Sequence, residues 1–432
     1  MVVAAGPGTD LEAPARSDEP TVSRDEATDA DTRTTVSLRR AVGWTLATLA
    51  AAVLLQLVVY RNGGHTALGD MPGRFFAWKL NPGALPYLDR PVEYPVVIGY
   101  LGYVTSSVAG TATRFFVANG FLNVGLAIAM TCLLRVRGGH RIWRWIAGAP
   151  LVLYAFHNWD LVAMVPAIIG LVAFTNGKDR LAGSSLAFGA SAKIFPGLFL
   201  PPLIVMRWCS GDRRGAYRLA AWAAGVTVVL NAPVALASPS GWWYPATFQG
   251  HRHATWGSVG SWLLNVPGVD QLVKADPARA ANALAAVTLI AALTAVTVLA
   301  VRRRLDPIAV GAAVTAVFLL TNKVYSPNYD LWIVPFFVLL PFTRRHWWAF
   351  CAADLGVFTL VFGRFHGLWD IGTVRIVLPA FVAVRAITLV WLVVVSTRRA
   401  GHGTASPTTV IDLATGENAE EIPSLRSHHS HM

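Results

Sequence analysis

Long apolar segments are the feature that most constrains how this chain can fold. Residues 41–60 carry no charged side chain, and residues 376–396 carry a single one. A helix of about twenty apolar residues spans the hydrocarbon core of a bilayer. Hydrophobic residues make up 54% of the chain and charged residues 14%, whereas about 25% of the residues of soluble domains are charged. The sequence therefore predicts an all-α, polytopic membrane protein.

The basic residues predict how the apolar segments are oriented. The net charge is +12, and many of the arginines lie in short stretches between the apolar segments. These stretches are 135–144, 213–214, 302–304, 344–345 and 398–399. Cytoplasmic loops of membrane proteins are enriched in Lys and Arg, so we expect these stretches to be cytoplasmic. No basic stretch is interleaved with aromatic residues expected to be exposed, and nucleic-acid binding is therefore not expected.

This orientation predicts about twelve transmembrane helices with both termini in the cytoplasm. In this interpretation residues 1–38 are an acidic, disordered cytoplasmic tail, residues 39–397 form the membrane domain, and residues 398–432 are a second disordered cytoplasmic tail. Two extracytoplasmic loops are expected, a first loop at 61–95 and a long loop at 238–282. The three cysteines lack metal-ligand spacing, so no metal site is expected.

Three pairs of apolar segments are too short for each segment to cross a bilayer easily. They are 145–156 with 161–175, 181–192 with 194–206, and 308–321 with 331–343. Polar residues interrupt each pair on the predicted outer side, and these three breaks contain HNWD (157–160), SAKIFP (191–196) and NKVYSPNYD (322–330). Such backbone is tolerated at membrane depth only where it lines a protein or water-filled cavity. We therefore expect the three breaks and the first loop to meet in one outward-facing cavity.

Charged residues on the predicted outer side suggest a chemistry for this cavity. Four of the five lysines lie there, against the positive-inside trend: Lys79, Lys193, Lys274 and Lys323. An anionic partner would explain them, and snorkelling to lipid headgroups is the alternative. The first loop adds Asp70, Asp89 and Glu93. A carboxylate can take a proton from an acceptor hydroxyl and cations can neutralise a departing phosphate, so the pattern favours group transfer from a lipid phosphate.

Five motifs resemble those of the bacterial membrane glycosyltransferases of family 87, which belong to the GT-C class and use polyprenyl-phosphate sugars. They are NPGALPYLDRPVEYP (81–95), HNWD (157–160), GASAKIFPGLFLPP (189–202), FQGHRHATWGSVGSW (248–262) and NKVYSPNYDLWIVP (322–335). An acidic residue soon after the first span, Asp70, fits the same pattern. The last motif is also similar to the Asn-Lys-Val segment of the eukaryotic mannosyltransferase of GPI-anchor synthesis. The resemblance covers about residues 40–395.

The resemblance implies a GT-C-like fold and assigns roles to the matching residues. Asp70 would be the general base, and Glu93 would hold the acceptor or shape the loop. The side chains near the donor phosphate would be Lys193, Lys323, Arg252, His251 and His253. Further substrate contacts would come from Asp89, Tyr94, Asp160, Tyr325 and Asn328. Two of these roles stay open: Asp89 serves equally well as a cap or as a partner of Arg90, and Asp160 as part of a structural ion pair.

The implied reaction is an inverting sugar transfer at the outer face of a bacterial plasma membrane. The sugar would be mannose first, with arabinofuranose or glucose as alternatives, and the acceptor a glycolipid, a cell-wall glycan or a protein. No nucleotide-binding signature occurs in the sequence, so the donor is expected to be a membrane-borne polyprenyl-phosphate sugar. Neither a cofactor nor a metal ion is expected.

A secondary transporter is the main alternative. Discontinuous helices, and an acid such as Asp160 within an apolar run, are typical of transporters. No repeat is visible between the two halves of the chain, however, and the charged breaks lie toward the outer side rather than the midplane. A channel is less favoured because no repeated filter-like segment occurs. Another lipid-linked enzyme, such as a ligase or a polymerase, is a further alternative.

Overall fold

The structure, a computed structural model, describes residues 36–63, 71, 74 and 84–398. Within these ranges the regular structure is helical, and β-type pairing is confined to an isolated bridge between Pro86 and Arg90. The predicted all-α class is thus confirmed. Nearly all of both predicted tails, together with Asp70 and Lys79, lies outside the described residues.

Seventeen α-helices are described. In chain order they are α1 (Leu38–Gly63), α2 (Val96–Ala109), α3 (Ala112–Gly138), α4 (Trp143–Ile146), α5 (Ala149–Tyr154), α6 (Asp160–Thr175), α7 (Asp179–Ala192), α8 (Leu200–Cys209), α9 (Arg213–Ala237), α10 (Pro239–His251), α11 (Val259–Leu264), α12 (Val269–Val273), α13 (Pro277–Arg302), α14 (Pro307–Thr321), α15 (Val334–Leu339), α16 (Arg344–Phe365) and α17 (Ile371–Arg398). Short 3₁₀ turns lie at Gly139–Ile142, Phe195–Phe199 and Pro327–Ile333.

Six of the described helices are long and apolar enough, by length and composition, to cross a membrane. They are α1, α3, α9, α13, α16 and α17. Shorter apolar segments of 10 to 17 residues make up α2, α6, α14 and the stretch Phe195–Cys209. The membrane character predicted from the sequence is therefore supported. The total of about twelve crossings stays a prediction.

Two of the shorter apolar helices form the centre, and some of the long helices form the outside. Helices α6 and α14 are hydrophobic all round and buried along almost their whole length, as expected of helices inside a bundle. Helices α9 and α13 leave large apolar side chains uncovered, among them Leu236, which is 84% exposed, and Ile290, which is 66% exposed. In a membrane protein such surfaces face lipid rather than water.

The long outer loop predicted at 238–282 is more regular than expected, because it contains helices α10, α11 and α12. The start signal of α10 is local. Ser238 precedes Pro239, and its hydroxyl accepts a hydrogen bond from the Gly241 amide at 3.3 Å. A proline in the first turn and a Ser or Asp cap before it favour a helix start. Asp276 caps α13 in the same way.

The arginine-rich ends of several helices lie together, away from the three breaks. Arg137 at the end of α3 donates to the Asn176 side chain just beyond α6 at 3.0 Å. Arg144 donates to the Phe337 carbonyl in α15 at 2.7 Å. Because α6 begins at the HNWD break and ends beside Arg137, the breaks and these arginines occupy opposite ends of the central helices. This separation is what the positive-inside orientation requires.

Candidate functional site

The three breaks converge on the carboxylate of Asp160. Asp160 opens α6 and is 1% exposed. Its Oδ1 accepts hydrogen bonds from Lys193 Nζ at 2.5 Å and from Trp332 Nε1 at 2.6 Å. Its Oδ2 accepts one from Asn328 Nδ2 at 2.8 Å. HNWD, SAKIFP and NKVYSPNYD therefore meet, through one buried carboxylate with a donor from each of the other two breaks. An outward-facing cavity at this point stays a prediction.

This arrangement balances the charge of Lys193 inside the protein. A buried carboxylate is stable only when paired and hydrogen-bonded, and Asp160 has both kinds of partner. The Lys193 ammonium also lies 5.5–5.7 Å from the ring centroids of Tyr94, Tyr329 and Trp332, within the range of cation–π attraction. The ion-pair interpretation of Asp160 accounts for this geometry. A phosphate at Lys193 would have to compete with that carboxylate.

The end of the first loop is anchored against the same cluster. The Asn158 side chain of HNWD donates to the Tyr94 hydroxyl at 2.7 Å. Glu93 is buried and forms an ion pair with Arg74, whose guanidinium lies 5.8 Å from the Tyr94 ring. Tyr94 thus connects the first loop to the convergence of the breaks. Glu93 lies next to it with its charge countered by Arg74.

The other two acidic residues of the first loop, Asp89 and Asp70, are not seen in contact with this cluster in the described part of the chain. Asp89 is exposed, and its Oδ2 accepts a hydrogen bond from the Leu85 amide at 2.8 Å, so its carboxylate caps its own turn. Asp70 is outside the described residues. The residue that follows it, Met71, is fully buried in the main hydrophobic core.

Lys323 and Arg252 form a second group. Lys323 is 6% exposed, and its ammonium donates to the carbonyl oxygens of Arg252 at 2.5 Å and Gly250 at 3.3 Å. Among the described residues neither Lys323 nor Arg252 forms an ion pair. Burial lowers the pKa of the Lys323 ammonium, and the nearby Arg252 charge lowers it further. Two neighbouring cations with no carboxylate partner in the described part of the chain favour an anionic ligand.

The two histidines beside Arg252 make few contacts with the residues of the second group. His251 and His253 are both exposed. His251 Nδ1 lies 2.8 Å from the Thr247 carbonyl, within its own helix. Their predicted place near a donor phosphate stays a prediction.

Two clefts lie beside the second group. A small one of about 80 Å³ lies between α11, α13 and α14, and Lys323 contributes to its wall. The rest of its lining is chiefly apolar and includes Leu263, Leu284 and Leu320. A larger one of about 400 Å³ lies between α10 and the start of α13. Its lining includes Trp243, His251, Asp276, Arg279 and Asn282.

A third group was not predicted from the sequence. Arg385 of α17 donates to Asp330 Oδ2 at 2.9 Å, and the Tyr325 hydroxyl donates to Asp330 Oδ1. Asp354 of α16 is also fully buried and accepts a hydrogen bond from the Tyr154 hydroxyl at 2.5 Å. Asp354 and Arg385 lie in the middle of apolar segments, and an ionisable residue there is itself a signal of function or pairing. That signal was available in the sequence.

One 3₁₀ turn connects the residues around Asp160 with the residues around Arg385. Pro327–Ile333 carries Asn328 and Trp332, which face Asp160, and Asp330, which faces Arg385. Lys323 lies four residues before this turn. Within the part of the chain that the structure describes, no group of three or more His, Cys, Asp or Glu side chains is placed to hold a metal ion.

A comparison with protein-family models finds no matching family, and a search of curated proteins finds no relative. The resemblance to family 87 therefore stays a prediction that depends on the motifs alone.

Proposed function

We propose that this protein is a membrane glycosyltransferase of the GT-C class that transfers a sugar, most simply mannose, from a polyprenyl-phosphate donor. The acceptor is a glycolipid, a cell-wall glycan or a protein at the extracytoplasmic face of a bacterial plasma membrane. The fold is GT-C-like, with about twelve membrane crossings and both termini in the cytoplasm.

The observation that carries this proposal is the position of Lys323. Its buried ammonium has carbonyl partners and lies close to Arg252, but neither has a carboxylate partner among the described residues. Its side chain also lines an apolar cleft. A prenyl phosphate has the matching chemistry, an anionic head joined to an apolar chain. The cleft is large enough for only part of that chain, and the remainder would lie along the apolar surface of α13.

The chemistry requires one base and a countercharge. The acceptor hydroxyl oxygen forms a bond to the anomeric carbon while the bond from that carbon to the phosphate oxygen breaks. Asp70 takes the hydroxyl proton, and the polyprenyl phosphate leaves with its charge balanced by Lys323 and Arg252. A single displacement inverts the anomeric centre. Glu93 and Tyr94 would contact the acceptor at the edge of the Asp160 cluster.

The remaining assigned residues have supporting roles in this proposal. Asp160, Lys193 and Asn328 hold the three breaks together. Lys193 contacts the donor only if the donor phosphate reaches the ion pair that Lys193 forms with Asp160. Tyr325 and Asp89 shape the segments that carry Lys323 and Glu93. His251 and His253 line the approach to Arg252. No metal ion enters the proposed reaction, and we expect transfer to continue in the presence of a chelator.

The direct test is transfer by the purified protein in lipid nanodiscs. Radiolabelled polyprenyl-phosphate mannose, arabinofuranose and glucose are supplied separately with a bacterial glycolipid extract as acceptor. We expect label to move from one of them, and Lys323→Ala to raise the donor KM by about tenfold or more with the acceptor KM unchanged. Lys274→Ala, at an exposed lysine of the long outer loop, is the matched control.

Absence of transfer and of donor hydrolysis with all three donors contradicts the proposal. The buried charges in apolar helices, Asp160 and Arg385 among them, keep a transporter as the second candidate. Uptake of a labelled solute into proteoliposomes, with no chemical change to that solute, would favour it.

A further inference from the structure

Arg385 is a large cation placed where a membrane protein tolerates few. It lies within the apolar helix α17 and is 1% exposed. A charged residue at such a position is costly unless it has partners, and it commonly has a function. Lys would not substitute for it geometrically, because a guanidinium donates in several fixed directions and an ammonium is a point charge.

Three contacts of Arg385 reach two different segments. Its Nη1 donates to Asp330 Oδ2 at 2.9 Å, and its Nη2 donates to the Gly257 carbonyl at 2.5 Å. The guanidinium carbon also lies 3.7 Å from the centroid of the Tyr325 ring. Asp330 and Tyr325 belong to the third break, and Gly257 belongs to the long outer loop. One side chain of α17 therefore contacts both.

The two segments are paired next to this contact. The Thr255 amide donates to the Lys323 carbonyl at 2.9 Å, and the Tyr325 amide donates to Thr255 Oγ1 at 2.8 Å. A Cβ at Gly257 would lie 2.8 Å from the Tyr325 carbonyl oxygen and 3.3 Å from Arg385 Nη2. The close approach therefore depends on a glycine at this position.

The paired segments carry Lys323 and Arg252, which have no ion-pair partner among the described residues. Lys323 stands two residues before Tyr325, and Arg252 stands three residues before Thr255. Their relative position depends on the register of the two segments. We propose that Arg385 is a positioning residue, which clamps residues 250–257 to residues 322–330 so that Lys323 and Arg252 are held together as one anion site. This inference relies on the proposed function for the identity of the anion, but the clamp itself can be tested without it.

The informative variant removes the clamp without leaving Asp330 as an unpaired buried charge. Arg385→Met alone leaves Asp330 unpaired, which is expected to unfold the protein, so we pair it with Asp330→Asn. Arg385→Lys is the second variant, because it keeps the charge and reaches fewer acceptors. Arg375→Met is the matched control, since Arg375 is an exposed arginine of the same helix.

The first readout is backbone hydrogen exchange in nanodiscs. In Arg385→Met/Asp330→Asn we expect exchange at 250–257 and 322–330 to rise by about tenfold or more, with exchange in α6 and α7 unchanged. Arg385→Lys should raise exchange at 250–257 more than at 322–330, since one ammonium can keep Asp330 while losing Gly257. Wild-type exchange in both variants overturns the clamp, and so does an equal rise throughout the chain, which indicates general destabilisation.

The second readout is the donor KM. We expect the double variant to raise it by about tenfold with little change in the acceptor KM, and Arg385→Lys to give an intermediate value. Equal changes in both constants overturn the positioning role. A chain with no transferase activity refutes the proposed reaction, whereas the exchange experiment still decides whether the clamp exists.

Discussion

Lys193 and Lys323 are both buried lysines in helix breaks, and their surroundings differ. Lys193 has the Asp160 carboxylate at 2.5 Å, whereas Lys323 donates to backbone carbonyls and lies near Arg252. The sequence placed both among the donor-phosphate contacts because both oppose the positive-inside trend. The sequence could not show that the two lysines have different partners, because the partner of each lies on a segment distant in the chain. The structure favours Lys323 as the cation available to an anionic ligand.

Removing one partner of the Asp160–Lys193 ion pair should lower the stability of the protein. Asp160→Asn or Lys193→Met alone leaves one buried charge uncompensated and should lower the free energy of unfolding by about 3–5 kcal/mol. The double variant removes both charges and should recover most of that loss. Thermal unfolding of the three proteins in one detergent measures the coupling. Additive losses in the double variant would show that the two charges do not act as a pair.

The lowered pKa of Lys323 predicts a pH dependence for the proposed binding of the donor. The protonated ammonium binds phosphate, so affinity is lost as the pH rises through the pKa of the lysine. Because that pKa is lowered by burial and by Arg252, the loss should begin at a lower pH than it would for an exposed lysine. Donor KM measured from about pH 7 to about pH 10 should therefore rise. In Lys323→Arg the rise should disappear, since a guanidinium stays charged; an identical rise there would assign the titration to another group.

At the scale of helices, the sequence predicted the presence and the order of the apolar helices better than it predicted the helices within loops or the contacts between distant segments. The segment expected at 308–321 is α14, Pro307–Thr321, and the one expected at 161–175 is α6, Asp160–Thr175. Apolar length and flanking arginines were sufficient for these. The helices inside the 238–282 loop were missed, because their polar and aromatic residues lack a clear period, although S-P at 238–239 is a start signal. The Arg385 clamp joins segments distant in the chain, and no local pattern reveals such a pairing.

Close packing of α7 against α9 depends on a glycine. A Cβ at Gly183 would lie 2.4 Å from the Leu219 carbonyl oxygen, whereas one at Gly225 of α9 meets nothing within 4 Å. Small residues permit such approaches between membrane helices. Gly183→Ala should therefore force the helices apart and cost about 1–3 kcal/mol of stability.

Gly225→Ala is the matched control and should be neutral or stabilising by up to about 1 kcal/mol. Thermal unfolding in detergent compares the two variants. Equal melting temperatures would contradict the close packing of α7 on α9.

At the scale of the whole molecule, one prediction concerns the orientation of the protein in the membrane. Cys209 is exposed near the arginine-rich ends, and Ala275 is exposed in the long outer loop. With Cys132 and Cys351 replaced by Ala, an impermeant thiol reagent added outside intact cells should label Cys209 only after permeabilisation. In a cysteine-free chain, Ala275→Cys should be labelled directly. The reverse pattern would place the proposed site in the cytoplasm and remove it from an outer-face donor.

The central claim is transfer from a polyprenyl phosphate with Asp70 as the base, and the initial rate of transfer by Asp70→Asn tests it most directly. The variant keeps size and polarity but cannot accept the hydroxyl proton. It should bind the donor normally and transfer about 10²-fold more slowly or worse. Asp89→Asn is the matched control, because an amide oxygen can still accept the hydrogen bond from the Leu85 amide, and it should keep the wild-type rate. A wild-type rate in Asp70→Asn, with loss of activity in Glu93→Gln, would contradict the account and make Glu93 the base.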